Sequence, residues 1–404
     1  MTATAPIPPV DVDDLRATIE RLAGLERGAT SPGEAEAAAW IAARLEAEGC
    51  AVAVEEAPAY KGFAATMALL SAVAAGAGVL AGRGGGRSRA LATTLALAAG
   101  AAVAEDVANG PRLARRLHSR RGTTQNVVAR TGDEGAERTL VVLAHHDAAP
   151  TGAIFDPTLQ ELVGDRFPGV IERVDTAAPL WWPVIAGPAL VALGALTGRS
   201  GPRRAGTVLA LGSVAAFADI ARHRSVPGAN DNLTAVAGIV RLAARLREQP
   251  VAGLRVLLVS CGAEEPLQEG MRAFVAAHRH ELPAATTSLL CLETIGSPNL
   301  HLLEGEGPVR MEDYAQPAFR ELVKDTAARA GIALRPNMRA RSSTDAIIGS
   351  REGWATATLV SLDRYKALSN YHRFTDVPEE LVWETVADGV LLAEHVLRRL
   401  ADER

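Results

Sequence analysis

Four apolar runs in this sequence are each followed by histidine or carboxylate residues, and this pattern constrains the fold more than any other. Residues 140–144 form one such run and lead into His145, His146 and Asp147. An unbroken apolar run of this length predicts a strand buried on both faces of an α/β sheet. Because open α/β sheets bind ligands at the carboxyl ends of their strands, the His-His-Asp group is expected at the functional edge.

Three later runs, which are predominantly apolar, repeat this design. Each is followed by ligand-type side chains: 254–260 by Glu264 and Glu265, 288–292 by Glu293, and 355–362 by His372. Two adjacent carboxylates after a buried strand are costly unless each has a partner. Since neighbouring side chains diverge there, one carboxylate can bind a metal while the other serves as a general base.

Another carboxylate lies on a turn. Asp231, within residues 227–232, precedes a predicted helix at 233–247, so backbone N–H groups lie near it. An Asn-Asp-Asn turn alone is more often a cap than a ligand. Together, however, the chain offers His, Asp, Glu, Glu and His in an order that can supply two metals with three ligands each, if one carboxylate bridges. Nitrogen and oxygen ligands without thiolate favour Zn(II), with Co or Mn as substitutes.

Two other segments are long, apolar and almost free of charge. Residues 62–82 carry no charge over about 21 positions, long enough as a helix to cross a hydrocarbon core of about 30 Å. An arginine-bearing tip and a shorter apolar leg, 90–104, follow. The design returns as 176–198, a second arginine tip and 205–218. The sequence therefore predicts two apolar helical hairpins.

These hairpins could be alanine-rich helices in a soluble lid or could enter a membrane. A soluble helix should show a polar face, which the long legs lack. The neighbouring Trp181 and Trp182 suit a membrane interface. We therefore expect a multi-pass protein of the cell membrane, in contact with lipid through both hairpins. The distribution of arginines leans towards a cytoplasmic catalytic domain, and residues 1–10 lack the pattern of a cleavable signal peptide.

Charge and cysteine content exclude other classes. The net charge of -5 and the pI near 6.0 give no basic footprint for nucleic acid. Cys50, Cys261 and Cys291 are far apart and odd in number, which predicts small buried residues rather than disulfides.

The start of the chain has its own signals. Ser31 can cap a helix and Glu34 can close a capping box with it. The remaining predictions are helices at 11–27 and 31–49, strands at 51–55 and 126–129, and an irregular segment at 149–175 that could form the mouth of a site.

These motifs resemble those of the M28 zinc peptidases, the aminopeptidase and glutamate carboxypeptidase group. The resemblance covers most of the chain outside the hairpins and rests on five motifs in the family's order: Ala-His-His-Asp147, Pro-Gly-Ala-Asn-Asp-Asn232, Ala-Glu-Glu265, Leu-Glu-Thr-Ile-Gly296 and Asn-Tyr-His372 with Asp376. It implies a three-layer α/β/α sandwich with a mixed, mostly parallel sheet, to which the hairpins are added.

The resemblance implies two zinc ions held by five side chains. Asp231 would bridge them, His145 and Glu293 would complete one site, and Glu265 and His372 the other. Two cations about 3.5 to 4 Å apart can lower the pKa of a shared water and polarise a carbonyl.

Three further roles follow from the same resemblance. Glu264 would take a proton from the water and pass it to the leaving amine. Asp147 would orient His145, and Tyr371 would steady the oxyanion. His146 is an extra histidine that we expect to be structural, because its side chain should point away from that of His145.

The chain also departs from the family pattern. Glu293 stands where many members have aspartate, residues 344–346 lack the usual histidine, and residues 265–271 lack the usual Gly-Ser ending. These departures concern substrate contacts more than the metal ligands.

We therefore expect a membrane-associated di-zinc aminopeptidase acting on a peptide or small amide. A non-catalytic membrane scaffold and a single-zinc acyltransferase similar to glutaminyl cyclase are the alternatives. The catalytic domain would comprise 1–60, 121–175 and 222–404, with hairpin insertions at 61–120 and 176–221. The hairpins could anchor the enzyme, close over the site or pair two chains as a homodimer, and the sequence leaves these open.

Overall fold

The computed structural model describes residues 7–176 and 179–402, and these residues form one nine-stranded mixed sheet. Its strands are β1 (Ala51–Tyr60), β2 (Arg121–Gly132), β3 (Thr139–His145), β4 (Arg255–Cys261), β5 (Thr287–Glu293), β6 (Asn299–Glu306), β7 (Glu312–Asp313), β8 (Arg335–Ala340) and β9 (Ala355–Leu362). Their order is β1-β2-β4-β3-β5-β9-β6-β7, with β8 beside β6.

The four apolar runs of the sequence are the four neighbouring strands β4, β3, β5 and β9, and each pairs with the next in parallel. Strands β1, β2, β6 and β7 add antiparallel pairs on either side. Because parallel strands end at the same edge, the residues that follow these four runs meet there.

Helices cover both faces of the sheet. They are α1 (Val12–Ala23), α2 (Pro32–Ala47), α3 (Ala64–Gly82), α4 (Gly86–Val107), α5 (Leu113–His118), α6 (Thr158–Arg166), α7 (Pro168–Arg173), α8 (Trp182–Thr197), α9 (Ser200–Ile220), α10 (Thr234–Glu248), α11 (Glu269–His278), α12 (Pro317–Ala330), α13 (Ala346–Arg351) and α14 (Trp383–Asp402). Short 3-10 helices lie at Ala153–Phe155 and Pro378–Glu380, and a π-helical turn at Ala229–Leu233.

Alternate residues of β3 belong to different hydrophobic cores. Leu140 and Val142 pack with residues of α1, α2, α10, α12 and α14, whereas Val141 and Leu143 pack with residues of α11 and α13. This alternation follows from the two-residue period of a strand. The sheet therefore lies between two layers of helices, which is the α/β/α sandwich predicted from the sequence.

Three local predictions need correction. Ser31 caps α2 by accepting from the Glu34 N–H, but the Glu34 carboxylate reaches the N–H of Thr30 rather than that of Ser31. The supposedly irregular segment 149–175 contains α6 and α7. The strand predicted at 51–55 extends to Tyr60, because it pairs with β2 over its whole length. All three cysteines are buried and free, as expected.

The four apolar legs are helices α3, α4, α8 and α9, which pack against one another as a bundle. Their lengths differ from the prediction: α4 has 22 residues and α9 has 21, whereas α8 has only 16. Close packing of α8 on α9 requires glycine, since a Cβ on Gly206 would lie 2.6 Å from the carbonyl oxygen of Gly187. By length and composition, α3 and α4 could each cross a membrane. The boundaries of the two hairpin insertions, 61–120 and 176–221, remain a prediction.

Candidate metal centre

The predicted ligands converge at the carboxyl edge of the sheet. His145 is the last residue of β3 and Glu293 the last of β5. Glu265 follows β4, His372 follows β9, and Asp231 lies on the π-helical turn before α10. All five side chains are at least nine-tenths buried.

The carboxylate of Asp231 lies between the two histidines. Its Oδ1 is 3.2 Å from Nε2 of His145, and its Oδ2 is 3.4 Å from Nε2 of His372. Each histidine also faces a second carboxylate: Glu293 Oε1 is 3.5 Å from His145 Nε2, and Glu265 Oε2 is 3.3 Å from His372 Nε2. The five residues therefore form two three-ligand groups that share Asp231.

Several of these buried atoms lack an ordinary partner. His372 Nε2 and Glu265 Oε1 have no hydrogen-bond partner in the described part of the chain. A buried polar atom without a partner costs free energy, which a metal ion would recover. The donor set, imidazole nitrogen and carboxylate oxygen without thiolate, fits zinc.

The titration of these groups reflects their crowding. Burial opposes a charge on His372, but Glu265 and Asp231 raise its pKa to about 10. Burial also opposes a charge on His145, whose pKa Glu293, Asp147 and Asp231 nevertheless raise well above its usual range. Burial raises the pKa of Glu265 and of Glu293. A positive charge placed among them would favour the ionised form of these carboxylates.

Asp147 joins two of the strand ends. Its Oδ1 lies 3.4 Å from Nδ1 of His145, the ring that Asp147 is predicted to orient. The same carboxylate accepts hydrogen bonds from the backbone N–H groups of Glu264 and Glu265, at 2.9 and 3.0 Å. Asp147 therefore ties the histidine of β3 to the two glutamates after β4.

Glu264 faces the space between the two metal groups. One of its carboxylate oxygens lies within 4.8 Å of ligand atoms of both His145 and Glu265. The side chain is buried, and its Oε1 accepts a hydrogen bond of 2.6 Å from Nε2 of Gln268. This location suits a base that acts on a molecule held between the two groups.

Aromatic residues cover one side of the centre. The ring of Tyr371 lies 3.8 Å from that of His372, and Phe155 meets both rings edge-on at 5.6 and 4.5 Å. Tyr371 thus lies beside a predicted ligand, and its role at the oxyanion stays a prediction. Phe155 was not predicted, because it lies in the segment 149–175 that has no recognisable signature.

His146 has the structural location that we expected. Its side chain is fully buried and its Nδ1 is 2.9 Å from the hydroxyl oxygen of Ser260 on β4. Burial lowers its pKa to about 4, so the ring is neutral at physiological pH.

Three further residues support the centre, and the sequence analysis assigned none of them a role there. Asp376 accepts from the backbone N–H groups of Asn230 and Asp231, at 2.7 and 3.1 Å, beside the cis peptide that follows Asp231. Arg27 donates to the carbonyl oxygens of His146 and Gly228. These two residues fix the backbone on either side of Asp231.

The third supporting residue is Glu34, which is fully buried at the start of α2. It accepts from the Ala263 N–H and from the Thr124 hydroxyl, both at 2.8 Å, next to the two glutamates of the centre. Burial, together with the charge of Asp147, raises its pKa to about 8. The capping residue predicted for a helix is therefore also a support for the turn that carries Glu264.

Comparisons with known proteins agree with this architecture. Residues 213–395 match the family model described as peptidase family M28, a range that contains Asp231, Glu264, Glu265, Glu293 and His372. No curated protein matches.

Solved structures share the fold at low sequence identity. A zinc aminopeptidase from Bacillus subtilis, BSAP, superposes with a TM-score of 0.58 at 14% identity, covering 97% of this chain and 96% of that one. A leucine aminopeptidase precursor from Bacteroides thetaiotaomicron gives 0.57 at 12%, covering 99% and 100%. The glutaminyl cyclase of the same bacterium gives 0.56 at 12%, with the same coverage. Residues 213–395 thus resemble peptidase family M28 in sequence, and the chain as a whole shares its fold with zinc aminopeptidases.

Proposed function

We propose that this protein is a membrane-associated di-zinc aminopeptidase. The observation that carries the proposal is the position of Asp231, whose two oxygens face different histidines. One carboxylate placed in this way can bridge two ions, with His145 and Glu293 on one side and Glu265 and His372 on the other.

The side chains would divide the work of amide hydrolysis. Two zinc ions, when bound, would polarise the scissile carbonyl and lower the pKa of the attacking water. Glu264 would accept the proton of that water and then donate it to the leaving amine. Asp147 would hold the ring of His145 through its Nδ1, which leaves Nε2 directed at the centre. Tyr371, packed on His372, would line the side of the site where the oxyanion develops.

The zinc content of the purified protein tests the bridged arrangement. We expect about two zinc ions per chain, because Asp231 belongs to two three-ligand groups that share no other residue. His145→Ala and His372→Ala should each lower that number, since each removes one of three ligands from one group. Elemental analysis of detergent-purified protein measures it, and His223→Ala, which alters an exposed histidine, is the matched control.

The alternatives predict other results in the same experiment. One zinc ion that persists in His145→Ala would contradict the bridged centre and favour the cyclase-like alternative, whose fold this chain shares. Failure to bind zinc at all would favour a non-catalytic scaffold. The chain presents two complete ligand groups, and this favours the peptidase over both alternatives.

The helix bundle supports the membrane part of the proposal. Large apolar side chains on its outer surface are exposed, including Leu97 at 57%, Leu196 at 70% and Val208 at 68%. Soluble monomers seldom expose contiguous apolar surface of this kind, whereas lipid covers it. We propose that the four helices anchor the protein in the cell membrane, with the catalytic domain on the cytoplasmic side.

A charge on the outer surface of the bundle distinguishes a membrane anchor from a soluble lid. Leu97 lies midway along α4, so Leu97→Arg should cost about 2.5 to 3.5 kcal/mol of insertion free energy in a membrane. In a soluble lid the same exposed substitution would be nearly neutral. We expect the wild type to stay in the membrane pellet after an alkaline carbonate wash and the variant to be depleted from it. Release of the wild type by that wash would contradict the proposed anchor.

A further inference from the structure

The end of the first hairpin is bonded to the loop that follows the two glutamates of the centre. Arg115 of α5 forms a two-pronged ion pair with Asp106 of α4, at 2.9 and 2.6 Å. Its remaining nitrogen, Nη1, donates to the carbonyl oxygen of Pro266 at 2.6 Å. Arg115 and Asp106 are both fully buried, so this joint is an internal part of the protein.

A second set of bonds runs beside the first. Arg112 donates from Nη2 to the carbonyl oxygen of Leu267 and to Oδ1 of Asn109, the latter at 2.7 Å, and it forms an ion pair with Glu269. Asn109, just beyond α4, donates in turn from Nδ2 to Oε1 of Gln268 at 2.7 Å. The hairpin therefore reaches the side chain of Gln268.

Gln268 is in turn hydrogen-bonded to Glu264. Its Nε2 donates to Oε1 of Glu264 at 2.6 Å and to the carbonyl oxygen of Ser343 at 2.9 Å. The side chain is 1% exposed, so water does not compete for these bonds. Both hydrogens of its amide are used.

The direction of each bond in the series follows from chemistry. An arginine can only donate, so the oxygen of Asn109 must face Arg112 and its NH2 must face Gln268. A carbonyl oxygen can only accept, so the NH2 of Gln268 must face Ser343 and Glu264. The series therefore ends with a donated hydrogen bond on Oε1 of Glu264, which leaves Oε2 of that carboxylate for the proton of the attacking water.

We propose that Gln268 is a positioning residue for Glu264 and that Asn109 holds it in place, so that the first apolar hairpin is part of the support of the catalytic base. The inference rests on the proposed role of Glu264. A base must lie within hydrogen-bond reach of its proton, and a misplacement of about 1 Å can cost about 100-fold in rate.

Gln268→Leu tests the positioning role, and Gln316→Leu is its matched control. Both glutamines precede a helix in the left-handed region, with φ of 60° and 52°, and both donate to backbone carbonyl oxygens, but Gln316 has no bond to the centre. We expect kcat to fall about 10- to 100-fold in Gln268→Leu, with KM and zinc content within about twofold of wild type. Gln316→Leu should keep the wild-type kcat.

Asn109→Asp tests the contribution of the hairpin with little change of shape. Aspartate can accept from Arg112 but cannot donate to Gln268, so the amide oxygen of Gln268 loses the shorter of its two hydrogen bonds and keeps only that from the hydroxyl of Ser343. We expect kcat to fall in this variant too, by up to about tenfold. An unchanged kcat would overturn the part assigned to the hairpin.

A double-mutant cycle separates action through Glu264 from a general loss of structure. If Gln268 acts through Glu264, then Gln268→Leu should not lower the residual kcat of Glu264→Gln any further. A multiplicative further loss would overturn the inference, as would wild-type kcat in Gln268→Leu while Glu264→Gln is inactive. Full activity of Glu264→Gln would instead contradict the proposed function itself.

Discussion

Glu264→Gln is expected to lower kcat by about 10²- to 10⁴-fold while leaving zinc in place. The magnitude is what a positioned general base commonly contributes. Glutamine has nearly the same shape as glutamate, and its Oε1 can still accept the hydrogen bond from Gln268. The substitution therefore removes the basic oxygen and little else. Release of amino acid from an aminoacyl anilide, measured together with zinc content, gives the result.

The adjacent glutamate supplies the matched control. Glu265 lies 3.3 Å from His372 and shares a three-ligand group with Asp231, whereas Glu264 is in neither group that contains Asp231 and accepts a hydrogen bond from Gln268. Glu265→Gln should therefore lose zinc as well as activity. An active Glu264→Gln, or an inactive one that has lost zinc to the same extent as Glu265→Gln, would contradict the division into base and ligand.

Four of the five predicted ligands could be located together from the sequence because each follows an apolar run, whereas Asp231 lies on a turn. Four such runs are neighbouring parallel strands, and parallel strands bring their carboxyl ends to one edge whatever the length of chain between them. His145 and Glu265 are about 120 residues apart in the chain yet approach one another for this reason. The strand pattern in the sequence therefore predicts which of these side chains lie close together in the fold.

The supporting residues could not be predicted because they act through the backbone of distant segments. Arg27 lies between the first two helices and Glu34 in the second, and both hold turns that begin more than a hundred residues later. Gln268 and Asn109 contact each other only because the end of the first hairpin packs against the loop that follows Glu264 and Glu265 in the folded protein. A local residue pattern cannot predict a hydrogen-bond partner that is distant in the sequence and becomes a neighbour only in the folded protein.

The ends of the hairpin helices could not be predicted accurately from the sequence either. The second leg was predicted to begin after Arg89, but α4 begins at Gly86 and includes that arginine. Arg89 donates to the carbonyl oxygens of Ala195 and Leu196 at the end of α8, so its charge has a partner within the bundle. A charged residue that marks a tip in the sequence can thus be part of a helix.

Arg27→Met should lower the free energy of unfolding by about 3 to 5 kcal/mol. Arg27 is fully buried and donates to the carbonyl oxygens of four residues: Leu22, His146, Pro227 and Gly228. Methionine fills much of the space but donates nothing, so these buried acceptors lose their donor at about 1 to 3 kcal/mol each, in part offset by rearrangement. Thermal or denaturant unfolding of the purified protein measures the effect.

Charge makes a second contribution at the same position. Burial lowers the pKa of Arg27 to about 10, while Asp147, Asp376 and Asp231 favour its charged form, so it remains a cation at neutral pH beside three carboxylates. Arg27→Lys keeps that charge but cannot reach four carbonyl oxygens with one ammonium group. We therefore expect lysine to fall between arginine and methionine in stability.

An exposed arginine on α1 is the control for both substitutions. Arg21 pairs with Glu36 at the surface, and Arg21→Met should change the free energy of unfolding by no more than about 0.5 kcal/mol. If Arg27→Met and Arg21→Met had the same free energy of unfolding, the backbone around Asp231 would not depend on Arg27 for its conformation. A loss confined to Arg27→Met, with Arg27→Lys intermediate, would instead mean that a residue far from the metal ligands in sequence holds the turn on which the bridging carboxylate lies.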